Sequence, residues 1–205
     1  MKLKSANIYL RNLTPFDAPK IFEWENNPKN WEVSATKMPF TRQEIKDFVN
    51  QPQDISLNQQ LRFMICKNES NLPIGCIDLF EYEEKKSVGI GILIAYTKHR
   101  NKGYAAEALK LLINYCSDEL KVDSIFCNIF KENTISIRLF ESCGFKFIEE
   151  RMLDENKVNH YELNIIASEE SRKLSGKQSV KKEQIASLHS VVRNDDNEEK
   201  VPRNE

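Results

Sequence analysis

The stretch of this chain best equipped for chemistry is Lys98-His99-Arg100-Asn101-Lys102-Gly103, four side chains able to carry positive charge around one glycine. Placed at the mouth of a helix, such a run is an anion site. The first-turn N–H groups there have no internal acceptor, and the macrodipole adds partial positive charge. Arg100 and Lys102 contribute full charges, and Gly103, lacking a Cβ, lets a ligand come close to the backbone. The ligand expected is a phosphate compound, and a pyrophosphate fits best. Neither GxxxxGK(S/T) nor GxGxxG occurs in the chain, so the two common nucleotide-loop fingerprints are absent.

The loop needs elements to hold it. Val88 to Ala95 precedes it without a charged residue and rich in β-branched side chains, which predicts a strand buried on both faces. After it comes a long amphipathic helix, with Ala105, Leu109, Leu112 and Cys116 on one face and Glu107, Lys110 and Asn114 on another. Upstream, Asn7 to Leu13 alternates as a strand, and Thr14-Pro15-Phe16-Asp17 starts a helix that Asn-Asn-Pro stops near Asn26. Thr41 to Glu44 caps a second helix ending before Pro52. Gln60 to Lys67 and Ile74 to Glu83 read as strands, and the charged turn from Glu83 to Lys86 leads into the central one. Beyond the long helix lie a strand over Ser124–Phe130 and a short helix capped by Asn133 and ended by Gly144. A closing hairpin follows, Phe145–Arg151 with Val158–Ile166. About seven strands and about four helices in this order give an α/β or α+β domain with a mixed sheet.

Two motifs sharpen that reading. Arg100-x-x-Gly103-x-Ala105 resembles the coenzyme A loop, Gln/Arg-x-x-Gly-x-Gly/Ala, of the GNAT superfamily of N-acetyltransferases. Asn133-x-x-Ser136-x-x-Leu139-Phe140-Glu141-x-x-Gly144-Phe145 resembles that family's Asn-x-x-Ser/Ala-x-x-Leu/Ile-Tyr-x-x-x-Gly-Phe helix and turn, in the same order and at the usual separation. The opening Ile8-Tyr9-Leu10-Arg11-Asn12-Leu13, with Asp17-Ala18, resembles the branch that acetylates ribosomal-protein N-termini and spermidine. The resemblance covers residues 1–166. It implies a mostly antiparallel twisted sheet whose central strands splay apart, with acetyl-CoA as cosubstrate and direct attack by a primary amine in a ternary complex.

By that resemblance, the backbone of Ile92, Leu93 and Ile94 pairs with the pantetheine arm and polarises the acetyl carbonyl. The N–H groups of Arg100, Asn101, Lys102, Gly103, Tyr104 and Ala105 receive the pyrophosphate, and Asn133 contacts the arm. Phe140 stands where most relatives have a tyrosine proposed to protonate the departing thiolate. Phenylalanine cannot do so, which leaves Ser136 and Cys143, on the same helical face, or water. A free thiol has a pKa near about 8.5, so an unassisted thiolate can also leave. For the general base, Asp78, Glu81 and Glu83 lie on the strand next to the central one; Glu81 is preferred, as a mid-strand carboxylate is costly to place without a role.

The acceptor is expected at the opening helices, where Glu23, Glu25, Glu32, Trp24 and Trp31 offer carboxylates and indoles to a cation. That favours a polyamine-like amine, with a peptide N-terminus or an aminoglycoside as alternatives. A second hypothesis is a coenzyme A-binding module that has lost catalysis, motivated by Phe140 and the tail; a nucleotide-binding protein is a distant third. Thirty Lys+Arg balance 31 Asp+Glu, so no general affinity for nucleic acid or membrane is expected. Without a signal-peptide core or a 20-residue apolar run, the expected compartment is the cytoplasm. Three histidines without ligand spacing argue against a metal, and five cysteines without a CxxC pair read as reduced core residues. Residues 167–205 hold 8 acidic and 8 basic side chains and no aromatic ring, which predicts a disordered tail, with a weak helix over Val180–Val192 or a homo-oligomer contact as the other options.

Overall fold

Eight strands form one open sheet in the order β1-β2-β3-β4-β5-β6-β8-β7 in the computed structural model, which describes residues 1–31, 38–153 and 156–166. Glu32, the tail beyond Ile166 and the possible helix over Val180–Val192 therefore lie outside the described residues. Met1–Ile165 form one compact unit. The strands are β1 Lys2–Lys4, β2 Ile8–Asn12, β3 Leu61–Lys67, β4 Pro73–Glu83, β5 Ser87–Ile94, β6 Ser124–Phe130, β7 Lys146–Leu153 and β8 Asn156–Asn164. Their helices are α1 Ala18–Glu25, α2 Pro28–Trp31, α3 Arg42–Asn50, α4 Ile55–Asn58, α5 Tyr104–Tyr115 and α6 Thr134–Ser142.

The count exceeds the expected seven strands and four helices for a simple reason. β1 is three residues of Lys-Leu-Lys, too short to alternate, while α2 and α4 are single turns without room for a helical period. Every adjacent pair is antiparallel except β5 and β6, which run parallel as the α5 crossover between them requires.

Period two divides the sheet into two cores. Ile8, Leu10, Phe63, Ile65, Ile77 and Leu79 pack on Ala108, Leu109 and Leu112 of α5. Tyr9, Met64 and Cys66 point the other way, onto Ile21 and Trp24 of α1 and Ile45 and Val49 of α3. Each face of the sheet thus carries its own helical layer. Arg11 and Asp17, the two charged residues of the opening motif, bond each other through paired 2.7 Å contacts, and Asp17 also accepts from the Thr14 backbone at 2.8 Å. This pair holds the start of α1 against β2.

The parallel pair opens the sheet. β5 and β6 stay in register only at Ser87, Val88 and Gly89, opposite Ser124, Ile125 and Phe126. Beyond Gly89 they diverge, so the expectation of a strand buried on both faces holds only for Val88–Ile90. Gly91 to Ile94 are half-buried, and their backbone lacks a ladder partner on the β6 side. No helix among the described residues is long and apolar enough to cross a membrane.

Candidate active site

The divergence opens a cleft of about 310 Å³ between the two halves of the sheet. Gly91, Ile92 and Leu93 of β5 form one wall, and Asn128 and Phe130 of β6 with Val158 of β8 form the opposite one. The floor toward the first half of the chain carries Arg62, Cys76 and Asp78, and Trp24, Glu25, Asn30 and Trp31 close it from α1 and α2.

Arg62 organises the polar side of the cleft. Its Nε and Nη2 donate to Asp78 at 2.6 and 2.9 Å, and its Nη1 donates to Glu25 at 2.5 Å. Desolvation works against the buried guanidinium, but the charges of Asp78 and Glu25 and the hydrogen bonds to Asp78 outweigh it, so it remains protonated. Among the described residues two carboxylates therefore share one cation, which leaves one formal negative charge beside the cleft. Its aromatic neighbours add to the attraction for a cation, since Trp24 and Trp31 both line the same space. Glu23, by contrast, is engaged by Lys20 and the Tyr96 hydroxyl and faces away from the cleft.

Glu81 lies elsewhere. A bulge between Phe80 and Glu83 interrupts the β4–β5 ladder, and Glu81 sits in it, exposed and with φ of 50°. It is not the costly mid-strand carboxylate that singled it out. The period-two argument breaks at the bulge, because one extra residue inverts the alternation. On the ladder proper, Asp78 opposite Gly91 is the β4 carboxylate that meets the cleft.

At the end of β5 the glycine loop leads into α5. Gly103 is its N-cap with φ of 81°, a left-handed conformation that glycine adopts without strain. A Cβ built there would meet nothing within 4 Å, so the backbone fronts open space. Asn101 also has positive φ, at 57°. Lys98 and Lys102 are exposed, but Arg100 turns inward. Its Nε donates to the Ile94 carbonyl at 3.0 Å and its Nη2 to Asn30 Oδ1 at 3.0 Å. The guanidinium thus braces the loop against the end of β5 and against α2, and it is the loop's backbone and lysines that face outward. Tyr104 and Ala105 occupy the first turn of α5, half-buried.

On the far side, Asn133 caps α6, its side chain accepting from the Ser136 backbone at 3.1 Å. Phe140 is buried and meets Phe145 edge-on at 5.0 Å. Ser136 and Cys143 are half-buried on that helix, and neither lines the cleft. Cys66, Cys76, Cys116 and Cys127 are buried free thiols; burial pushes Cys76, Cys116 and Cys127 well above the ordinary thiol range. Among the described residues no group of His, Cys, Asp and Glu could hold a metal ion.

Sequence reasoning missed Arg62 and Asn128. Arg62 interrupts an apolar strand, and a lone arginine there was a usable signal, because such a charge needs partners. Asn128 gave none, since a single asparagine on an alternating strand usually faces solvent.

Comparison with known proteins agrees with this geometry. The family model described as an acetyltransferase (GNAT) domain matches residues 7–146. An uncharacterised N-acetyltransferase, YokL, of Bacillus subtilis is 23% identical over 139 residues, spanning 68% of this chain and 76% of its own. Spermidine N(1)-acetyltransferase of Vibrio cholerae is 31% identical over 99 residues, 48% of this chain and 55% of that protein. The crystal structure of spermidine N-acetyltransferase from Vibrio cholerae with CoA and spermine superposes with a TM-score of 0.67 at 22% identity, covering 77% of this chain and 95% of the other. With a sheet split beyond Gly89, an open glycine cradle at its end and the family model spanning both, the chain belongs to the GNAT acetyltransferases and is an acetyl-CoA-dependent N-acetyltransferase.

Proposed function

We propose that this enzyme acetylates a cationic primary amine of polyamine type, in the cytoplasm, with the amine held by the Arg62–Asp78–Glu25 cluster. The observation that carries the reading is the charge balance there: two carboxylates on one guanidinium leave one negative charge facing the cleft. A protonated amine completes it. The relative from Vibrio cholerae named for spermidine supports the same class.

Acetyl-CoA fits the other half of the site. On the β6 side, where β5 lacks a ladder partner, the backbone of Ile92, Leu93 and Ile94 would offer its outward groups to an extended ligand arm lying as an added strand, the Ile94 carbonyl excepted because Arg100 donates to it. The loop from Arg100 to Ala105, open in front of Gly103, would take the pyrophosphate, with Lys102 beside it and Asn133 across the gap. The thioester supplies the acetyl group. One backbone N–H at its carbonyl oxygen is typically worth roughly 10²–10³ in rate.

The attacking amine must lose its proton first. Glu25 and Asp78 are the carboxylates of the cleft; among the described residues Arg62 engages both oxygens of Asp78 but only Oε1 of Glu25, which favours Glu25 for that task, directly or through water. Phe140 carries no hydroxyl, and Ser136 and Cys143 do not line the cleft, so the thiolate leaves unassisted or takes its proton from water. Thiol release from acetyl-CoA with spermidine, putrescine, aminoglycosides and short peptides tests the reading. Release with the polyamines, lost in Glu25→Gln, is expected; tight acetyl-CoA binding without release under any amine would overturn it in favour of a binding module.

A further inference from the structure

Three polar side chains are buried among the described residues: Asp17, Asn30 and His160. The first two hold the fold, on Arg11 and on Arg100. His160, at 1% exposure on β8, leads instead into the cleft. Its Nδ1 lies 2.8 Å from Oδ1 of Asn128, the residue on the β6 wall, and its Nε2 lies 3.0 Å from Glu162 Oε1. Phe126 covers the ring at 5.6 Å. The charged groups facing the imidazole are Glu162 on its own strand and Arg151 on β7, whose Nη1 is 3.2 Å from Nδ1 and whose Nε is held by Glu149. From β6 come only the uncharged Phe126 and Asn128.

Chemistry constrains this arrangement. A carboxylate and an amide oxygen only accept, so an oxygen at each ring nitrogen is satisfied when both nitrogens carry protons, a state in which Arg151 Nη1, itself only a donor, must give up Nδ1. With a single proton, kept on Nε2 by Glu162, the bare Nδ1 must accept. It then takes N–H groups from Arg151 and from the Asn128 amide turned end for end. Among the described residues the Asn128 amide nitrogen makes no other hydrogen bond that would resist the turn.

We infer that His160 is a positioning residue that, through its Nδ1 proton, selects which end of the Asn128 amide the acceptor meets. This rests on the cleft being the amine site. With Nδ1 bare, the Asn128 carbonyl faces the cleft and accepts from an ammonium or amine N–H. With Nδ1 protonated, the NH2 group faces it and opposes the same ligand. The cleft thus reads its amine from two sides, by charge at Glu25 and Asp78 and by a proton-set dipole at Asn128.

The experiment compares full-length wild type, Asn128→Ala and His160→Gln at pH 6 and pH 8. It measures KM for the best amine of the panel and, by calorimetry, spermidine binding to the CoA-saturated protein. Asn128→Ala is expected to weaken acceptor binding about 5–10-fold at pH 8 and less than about twofold at pH 6, with acetyl-CoA affinity unchanged. His160→Gln, unable to take up a proton, should hold a constant ratio to Asn128→Ala at both pH values. Should that variant misfold, Glu162→Gln serves, since its side chain is 41% exposed; losing its charge should move the change in ratio to lower pH. A wild-type to Asn128→Ala ratio that is flat with pH overturns the inference while leaving turnover intact. Absent turnover with a pH-dependent ratio in calorimetry would sink the reaction and spare the inference; absence of spermidine binding at both pH values overturns both.

Discussion

Arg100 of the glycine loop donates at 3.0 Å to Asn30, a buried residue of α2 that in turn donates to the Trp24 carbonyl at 2.9 Å. One guanidinium therefore links the glycine loop to the two helices that close the cleft. Arg100→Ala should raise KM for acetyl-CoA and for the amine together, each by about tenfold, because losing one charged hydrogen bond frees both. Steady-state kinetics with both substrates varied would measure this. A rise confined to acetyl-CoA would mean that Arg100 serves the phosphates alone.

Two glycines of the β4–β5 ladder separate stability from specificity. A Cβ at Gly75 would lie 1.9 Å from the Leu93 carbonyl oxygen, so Gly75→Ala must push the strands apart. Thermal melting should show a loss of roughly 5–10 °C. A Cβ at Gly91 meets only the Phe80 ring, at 3.8 Å, and Gly91 lines the cleft. Gly91→Ala should melt with wild type yet raise the amine KM several-fold by filling the space opposite Asp78.

Gly103 tests the cradle. Nothing in the protein would touch a Cβ there, so the cost of Gly103→Ala is the left-handed backbone, about 1 kcal/mol. Any further loss comes from the bound phosphates. Gly103→Asp adds a negative charge in the same open space and should abolish measurable acetyl-CoA binding in calorimetry, while its melting temperature stays close to that of Gly103→Ala.

Phe140→Tyr would put a hydroxyl into a buried site against Phe145. A rise in kcat is expected, up to the roughly 10²–10⁴ typical of a positioned proton donor, alongside a lower melting temperature from the buried hydroxyl. Single-turnover measurements of thiol release separate the two effects. An unchanged rate would mean that the thiolate already leaves without help.

Acid should loosen the opening helix. Burial raises the Asp17 carboxyl, but hydrogen bonds from Arg11 and Thr14 together outweigh it and hold the group below the usual carboxylate range. A depressed folded value stabilises the protein above the unfolded value of about 3.9, and that stability is lost as the pH falls through the folded one. Asp17→Asn should cost about 2 kcal/mol at pH 7 and flatten the acid side of the stability profile, as denaturant titrations between pH 2 and 7 would report.

Much of this protein is determined by local sequence. The apolar run before Lys98, the glycine at 103, the Thr41 and Asn133 caps and the helical period after Tyr104 each act over a few residues, and each lies where that chemistry predicts. The glycine loop is legible for the same reason, since a helix N-terminus and its glycine are neighbours in the chain. What only the tertiary structure decided lies between strands. A bulge after Phe80 removed Glu81 from the face that period two assigned it, and the parting of β5 and β6 left Gly91 to Ile94 half-open where a buried strand was expected. The charged side of the cleft is assembled from Glu25, Arg62 and Asp78, up to 53 positions apart in the chain, and its opposite wall carries Asn128, backed by His160. Such pairings depend on ladder register, which the sequence encodes only through the packing of the whole sheet.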